Sequence, residues 1–237
     1  MSSKSKTAIT RITRRDMKIS GLSELGIHVL FDESDIMKAS AIIIGPKNTP
    51  YENGIMYFSI QFPSDYPFSP PQIQYVSTSK LRIHPNLYVG QSHHNFRGKV
   101  CLSIINTWSG PKWSTAMDLS SVLITIQSLL CDKAVTHEPG YEKSSSKMIE
   151  IYNDIVQYDT FRHLILCNRV PFDQSFSGFN EVIQKHLSES RDDIIKRLDR
   201  CCKKYPKKTI LSLKLFGISI EMDYKSLRMK FDLKKTP

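Results

Sequence analysis

The sequence predicts an α+β fold: an N-terminal helix, a four-stranded antiparallel meander, a long irregular stretch, then helices and a C-terminal extension. Three observations carry this prediction. Short strand-like segments are joined by loops rich in Gly, Pro and Asn between residues 27 and 77. No periodicity is sustained over 79–117, and apolar residues recur at helical spacing from 119 onward.

The elements follow in order. Residues 6–19 read as a helix rich in Arg and Lys, with a modest apolar stripe of Ile9, Ile12, Met17 and Ile19. Ile27, Val29 and Phe31 alternate, which suits a sheet with one buried face. Residues 39–44 form a short β-branched run, and Met56, Phe58, Ile60 and Phe62 alternate again. Between them, residues 45–54 have the composition of a hairpin loop. Residues 63–71 hold too much proline for a helix or an inner strand. Ile73, Tyr75 and Ser77 start a fourth strand. An irregular stretch as long as 79–117 inside a domain argues for function.

Asp118 is placed to cap a helix whose core face is Leu119, Val122, Leu123, Ile126, Leu129 and Leu130. Residues 144–170 read as one or two further helices through Met148, Ile151, Tyr152, Ile155 and Val156, ended by Pro171. A third helical pattern covers 178–203, using Val182, Ile183, Leu187, Ile194, Ile195 and Leu198. The tail alternates through Leu211, Leu213 and Leu215, then Ile218, Ile220 and Met222, as a hairpin would. The organisation expected is a core domain over 6–170 and an extension over 171–237. A chain of 237 residues accommodates this, since a domain of about 150 residues can bury its own core.

Composition is globular, 40% apolar and 24% charged. The net charge of +10 is uneven: six Lys/Arg against one acid in 1–20, twelve against thirteen in 21–170, and fifteen against nine in 171–237. Basic ends can steer an acidic protein, nucleic acid or an anionic membrane surface. The run Lys196, Arg197, Arg200, Lys203, Lys204, Lys207 and Lys208 reads equally well as a solvated helix face. The five cysteines form no Cys-x-x-Cys pair, so neither a disulfide framework nor a zinc site is suggested. The first residues hold no apolar core of a signal peptide, and no apolar run approaches the length of a membrane span. The expectation is a reducing compartment, cytoplasmic or nuclear, without membrane insertion.

The irregular stretch holds His84-Pro85-Asn86, Cys101-Leu102-Ser103-Ile104, Trp108 and Trp113-Ser114. A thiol in a surface segment can be reached by another protein, and becomes nucleophilic beside a base or a positive field. His84, His93, His94, Arg97 and Lys99 could supply either. On these residues alone, a Cys/His hydrolase and a buried structural cysteine both stand.

Taken in order, Pro-x-x-Tyr-Pro-x-x-Pro-Pro (63–71), His-Pro-Asn (84–86), Gly-x-x-Cys-Leu-x-Ile (98–104), Trp-Ser (113–114) and an amphipathic helix over 118–131 resemble the ubiquitin-conjugating enzyme family, across about residues 6–170. The nearest likeness is to the long type with a C-terminal extension, charged by the alternative activating enzyme. That likeness rests on 45–52, 107–114, 120–130, Glu138-Pro139-Gly140-Tyr141, and Asp223-Tyr224 with Ser226-Leu227.

The resemblance implies roles. Cys101 would carry the C-terminal carboxyl of ubiquitin, or of a ubiquitin-like modifier, as a thioester. Asn86 would steady the tetrahedral oxyanion and brace the loop. His84, Pro85 and Trp113 would hold the site's structure. Asp132, His137 or Glu138, in the loop after the helix, would help position or deprotonate the attacking lysine. Phe68, Thr115 and Ala116 match the family's ligase-docking surface, and Arg11, Arg14 and Arg15 its docking element for the activating enzyme. The partners implied are the modifier, an activating enzyme, a ligase and substrate proteins, with no metal or organic cofactor. Nucleic-acid binding by the basic run has no motif to accompany it.

Two departures stand out. Asn86 precedes Cys101 by more residues than is usual in the family, the excess falling within 87–96, where His93 and His94 approach the thiol in sequence. This reads as a surface insertion, which is cheap in closure entropy, ahead of a gate for the acceptor lysine. Thr115 stands where the family usually has proline, which bears on the ligase. The rival readings are an inactive variant of the same fold that binds ubiquitin or a ligase, which the presence of Cys101 argues against, a hydrolase and a nucleic-acid binder.

Overall fold

The computed structural model describes residues 3–18, 20–90, 96–166 and 174–233. Helix α1 (Ser3–Arg14) buries Ala8 and Ile12, one turn apart on a single face. It ends earlier than expected, and a short 3₁₀ turn at Asp16–Lys18 follows. The helical period therefore no longer governs Met17, which is 46% exposed, while Ile19 lies outside the described residues.

The meander is present as β1 (Ile27–Phe31), β2 (Lys38–Ile44), β3 (Ile55–Gln61) and β4 (Gln72–Val76), each antiparallel to the next. The sheet has five strands, not four. β5 (Arg97–Lys99) pairs Lys99 with Gln74, Gly98 with Tyr75 and Arg97 with Val76. Arg-Gly-Lys carries no strand former, so only the pairing with β4 makes it a strand.

The sheet is buried on one face and over part of the other. Ala41, Ile43, Phe58, Ile60, Ile73 and Tyr75 join the main core. There α2 (Leu119–Leu129) contributes Val122, Leu123 and Ile126, and α3 (Ser146–Asp159) contributes Tyr152, Ile155 and Val156. The opposite face presents Ile42, Ile55, Tyr57 and Val76 to Phe176, Phe179 and Ile183 of the extension. Tyr57 meets Phe176 edge-on at 5.2 Å. Burial on both sides of β2 explains why Ile42 and Ile43 stand in succession within the β-branched run 39–44.

Asp118 caps α2 through the Ser121 amide at 3.0 Å, and Ser145 caps α3 through the Met148 amide at 3.2 Å. α3 runs on as a π-helical turn, Thr160–Leu166, while Pro171 lies outside the described residues. Gly54 makes room for that turn: a Cβ there would stand 2.9 Å from Thr160 and 3.0 Å from Leu164.

The helical pattern over 178–203 is two helices, α4 (Asn180–Glu189) and α5 (Arg191–Lys204), broken at Ser190. They serve different cores. Ile183 packs on the outer sheet face, whereas Ile194, Leu198 and Cys201 enter the main core, and one straight axis could not reach both. The expected hairpin is β6 (Thr209–Leu213) with β7 (Ile218–Met222). A last helix, α6 (Tyr224–Leu233), was not foreseen; it buries Tyr224, Leu227 and Phe231, and Asp223 accepts the Ser226 amide at its start. Tyr224 packs edge-on against Tyr158 at 5.1 Å, so the extension shares the main core. The boundary expected at 170/171 falls outside the described residues. No helix among them is long and apolar enough to cross a membrane.

Candidate active site

Asn86 and Cys101, fifteen positions apart, are joined twice. The Cys101 amide donates to the Asn86 carbonyl at 2.9 Å, and the Asn86 side-chain amide donates to the Cys101 carbonyl at 2.7 Å. Leu87, 1% exposed, bridges antiparallel to Val100, and the Tyr88 amide donates to Lys99 at 2.9 Å. The start of the 87–96 insertion is therefore built into the site rather than lying free on the surface. Gly98 permits this approach, since a Cβ there would stand 1.7 Å from the Tyr88 carbonyl oxygen. Beyond the cysteine, the Thr107 hydroxyl accepts from the Leu102 amide at 2.8 Å and donates to the Val100 carbonyl at 2.7 Å.

His84 is fully buried. Its Nδ1 accepts the Asn86 amide at 3.0 Å, which puts the ring proton on Nε2, 3.0 Å from the Leu129 carbonyl and 3.2 Å from His137 Nδ1. Burial, with the neighbouring His137 and Arg82, pushes His84 down to about 3. It is a neutral brace between the His-Pro-Asn turn and the end of α2 at ordinary pH.

Cys101 is 2% exposed, a departure from the surface thiol expected of an irregular segment. Burial raises its pKa, opposed by Lys99, by Arg82 and by a hydrogen bond with the Tyr88 side chain, while Glu138 adds to the rise. Arg82 organises this surround. Its guanidinium donates to the Pro85 carbonyl and lies 3.5 Å from the Glu138 carboxylate. Its Cζ stands over the Tyr88 ring at 3.7 Å and over the Phe216 ring at 4.2 Å. Sequence reasoning missed Arg82, Tyr88 and Phe216. Tyr88 stands two residues past Asn86 and was open to notice, but nothing local ties Phe216 to the site.

The residues foreseen fall into three groups. Cys101, Asn86, His84, Pro85, His137 and Glu138 come together through the bonds just described. Asp132 does not join them: it is exposed and lines a recess of about 300 Å³ with Asn48, Arg197 and Arg200. His93 and His94 lie outside the described residues.

The second group is the face expected to dock a ligase. Trp113 donates from its indole to the Pro67 carbonyl at 2.7 Å, beside Phe68, which is 69% exposed. Thr115 and Ala116 are exposed as well. The third group is basic. Arg11 donates to the Met117 carbonyl at 2.6 Å; Arg15 donates to the Ala116 carbonyl at 2.7 Å and the Asp118 carboxylate at 2.9 Å. These two arginines thus tie α1 to the head of α2, while Arg14 is exposed. Buried Asp16 completes the tie, accepting from Tyr66 and from the Leu119 amide, each at 2.8 Å.

Among the described residues no group of His, Cys, Asp or Glu is arranged to hold a metal ion. A cleft of about 920 Å³ runs along the outer sheet face past Ser40, Ser59, Gln74 and Lys99, and its lining does not include Cys101.

Comparison with known proteins finds the ubiquitin-conjugating enzyme family matching residues 11–158. Ubiquitin-conjugating enzyme E2 Z of Xenopus tropicalis is 40% identical over 161 residues, 67% of this chain and 49% of its own. The Homo sapiens E2 Z is 40% identical over 160 residues, 65% of this chain and 42% of its own. Probable ubiquitin-conjugating enzyme protein 17 of Caenorhabditis elegans is 36% identical over 182 residues, 72% of this chain and 24% of its own. The chain spans half or less of the length of these relatives.

Proposed function

The chain belongs to the ubiquitin-conjugating enzyme family, and on that premise we propose that it accepts ubiquitin, or a ubiquitin-like modifier, on Cys101 and passes it to a substrate lysine, usually with a ligase. The observation that carries the proposal is the double link between Asn86 and Cys101, which fastens the His-Pro-Asn turn to the thiol-bearing residue.

In the first step the Cys101 thiolate attacks the thioester carbonyl of the charged activating enzyme. A new C–S bond forms and the activating enzyme's C–S bond breaks, so one thiolate replaces another. In the second step a lysine amine attacks the Cys101 thioester. The C–N bond forms, the C–S bond breaks, Cys101 leaves as thiolate and the amine sheds a proton. The Asn86 side-chain amide, which donates to the Cys101 main-chain carbonyl in the resting state, is the donor this reading assigns to the developing oxyanion.

Partial burial lowers the pKa of His137; its Nδ1 faces the His84 Nε2 proton at 3.2 Å, so the neutral ring carries its own proton on Nε2 and takes up the amine proton only as that proton moves on to solvent. Glu138, 3.5 Å from Arg82, orients the incoming lysine in this reading. Phe68, Thr115 and Ala116 form the ligase face. Arg14 carries the clearest contact for an acidic groove on the activating enzyme, because Arg11 and Arg15 are engaged within the chain. The alternative activating enzyme is the charging partner this reading favours, with the extension over 171–237 selecting it or the modifier, in a cytoplasmic or nuclear setting.

A charging assay with ATP, ubiquitin and each activating enzyme in turn tests the reading. A thiol-sensitive adduct is expected on the wild type, none on Cys101→Ala, and a thiol-resistant one on Cys101→Ser. Absence of an adduct with every modifier tried refutes the reading. That outcome favours a binding variant without thioester chemistry, a rival supported by the cover over Cys101.

A further inference from the structure

We infer that Phe216, at the tip of the extension's hairpin, is a positioning residue for the Cys101 site, fixing Arg82 against Tyr88 and, through Arg82, the Pro85 carbonyl and Glu138. The inference rests on the reading of Cys101 as the acceptor.

The backbone gives the first argument. Phe216 has φ 59° and ψ 11°, in the left-handed region that bulky side chains avoid. Gly217 follows it at φ 61°, where glycine is the ordinary choice. A large aromatic residue held in that conformation points to a use for its side chain. The tip is also firmly seated, since Leu213, Leu215 and Ile218 on either side of it are buried in the main core. The ring therefore has a defined place.

The second argument is what Arg82 lacks. Its side chain is 18% exposed, and its Nε is buried without a hydrogen-bond partner. Among the described residues its side-chain polar contacts, to Pro85 and Glu138, both run from one nitrogen, Nη2. One donor leaves a planar cation free to tilt; two aromatic faces do not. The Tyr88 ring at 3.7 Å and the Phe216 ring at 4.2 Å supply those faces.

The third argument is where the stack leads. Tyr88 and Arg82 both act to lower the Cys101 pKa, and Arg82 acts electrostatically on His84 as well. Pro85 sits between His84 and Asn86. A residue some 115 positions downstream of Cys101 thus bears on the thiol through a single guanidinium.

Two substitutions separate this role from a structural one. Phe216→Gly suits the left-handed backbone and removes the ring; Phe216→Trp restores an aromatic face. In the full-length protein, modification of Cys101 by iodoacetamide is followed against pH by peptide mass spectrometry, and discharge of the ubiquitin thioester onto free lysine is timed. In Phe216→Gly the melting temperature holds, the Cys101 midpoint moves to higher pH as the cation loses its place, and discharge slows about tenfold. Phe216→Trp returns both towards wild type. Unchanged midpoint and discharge in Phe216→Gly overturn the inference. So does a loss of both that follows the melting temperature and that Phe216→Trp fails to repair. A wild type that forms no thioester defeats the proposed function, whereas the alkylation profile needs no ubiquitin and still decides the coupling.

Discussion

Asp159 is 2% exposed, and burial raises its carboxyl to about 7, against lowering contributions from Ser79 and Arg162. In the unfolded chain an aspartate ionises near about 3.9. Between those values the folded state keeps a proton that the unfolded state has released, so stability falls as pH rises from about 4 to about 7. Asp159→Asn removes that ionisation. It is expected to melt above the wild type at pH 8, with the difference shrinking towards pH 4, as calorimetry at the two pH values would read. Residue-scale facts of this kind were unequally legible. Cys101, Asn86 and His84 stood out because a motif groups them. Gly98 belonged to the same motif, but its purpose, clearance of the Tyr88 carbonyl, needs the fold. The stacking of Phe216 on Arg82 joins residues far apart in sequence and leaves no local trace.

Among the elements, α2 depends on its first turn. Partial burial would raise the Asp118 pKa, but hydrogen bonds from Ser120, Ser121 and Arg15 hold it at about 2. Asp118→Ala removes both the cap and the tie to α1, and should lower unfolding stability by about 1 kcal/mol or somewhat more in urea titration. Because the folded pKa is depressed, the wild type's advantage over this variant is full above the ordinary aspartate range and fades as pH falls towards 2. The cap and the amphipathic face of α2 were plain in the sequence, since both signals are local. β5 was not, because three residues without strand formers become a strand only beside β4. The break between α4 and α5 was hidden for a related reason: apolar spacing alone does not say that successive turns face different cores.

At the scale of the whole molecule, the extension completes the core. Ile194, Leu198, Met222 and Tyr224 pack with Ile155, Tyr158 and Phe161, while Phe176, Phe179 and Ile183 cover the outer sheet. Ending the chain at residue 170 would bare both surfaces. That truncation is expected to be aggregated or molten by size-exclusion chromatography and near-ultraviolet dichroism, and a monodisperse, sharply melting product would contradict it. The charge distribution was legible from composition, but its use was not. Lys204 is held by Glu150 and Asp154 at 2.8 Å, and Arg197 donates to the Glu52 carbonyl at 2.7 Å, so part of the basic run fastens the extension to the rest of the chain. The covered outer face also has an evolutionary consequence. Tyr57 and Phe176 fill one space from distant parts of the chain, as do Ile42 and Val76 with Phe179 and Ile183. Substitutions at these positions are not free to drift separately. A lineage that lost the extension would come under selection to turn 42, 55, 57 and 76 polar, and one that kept it would show these sites changing together.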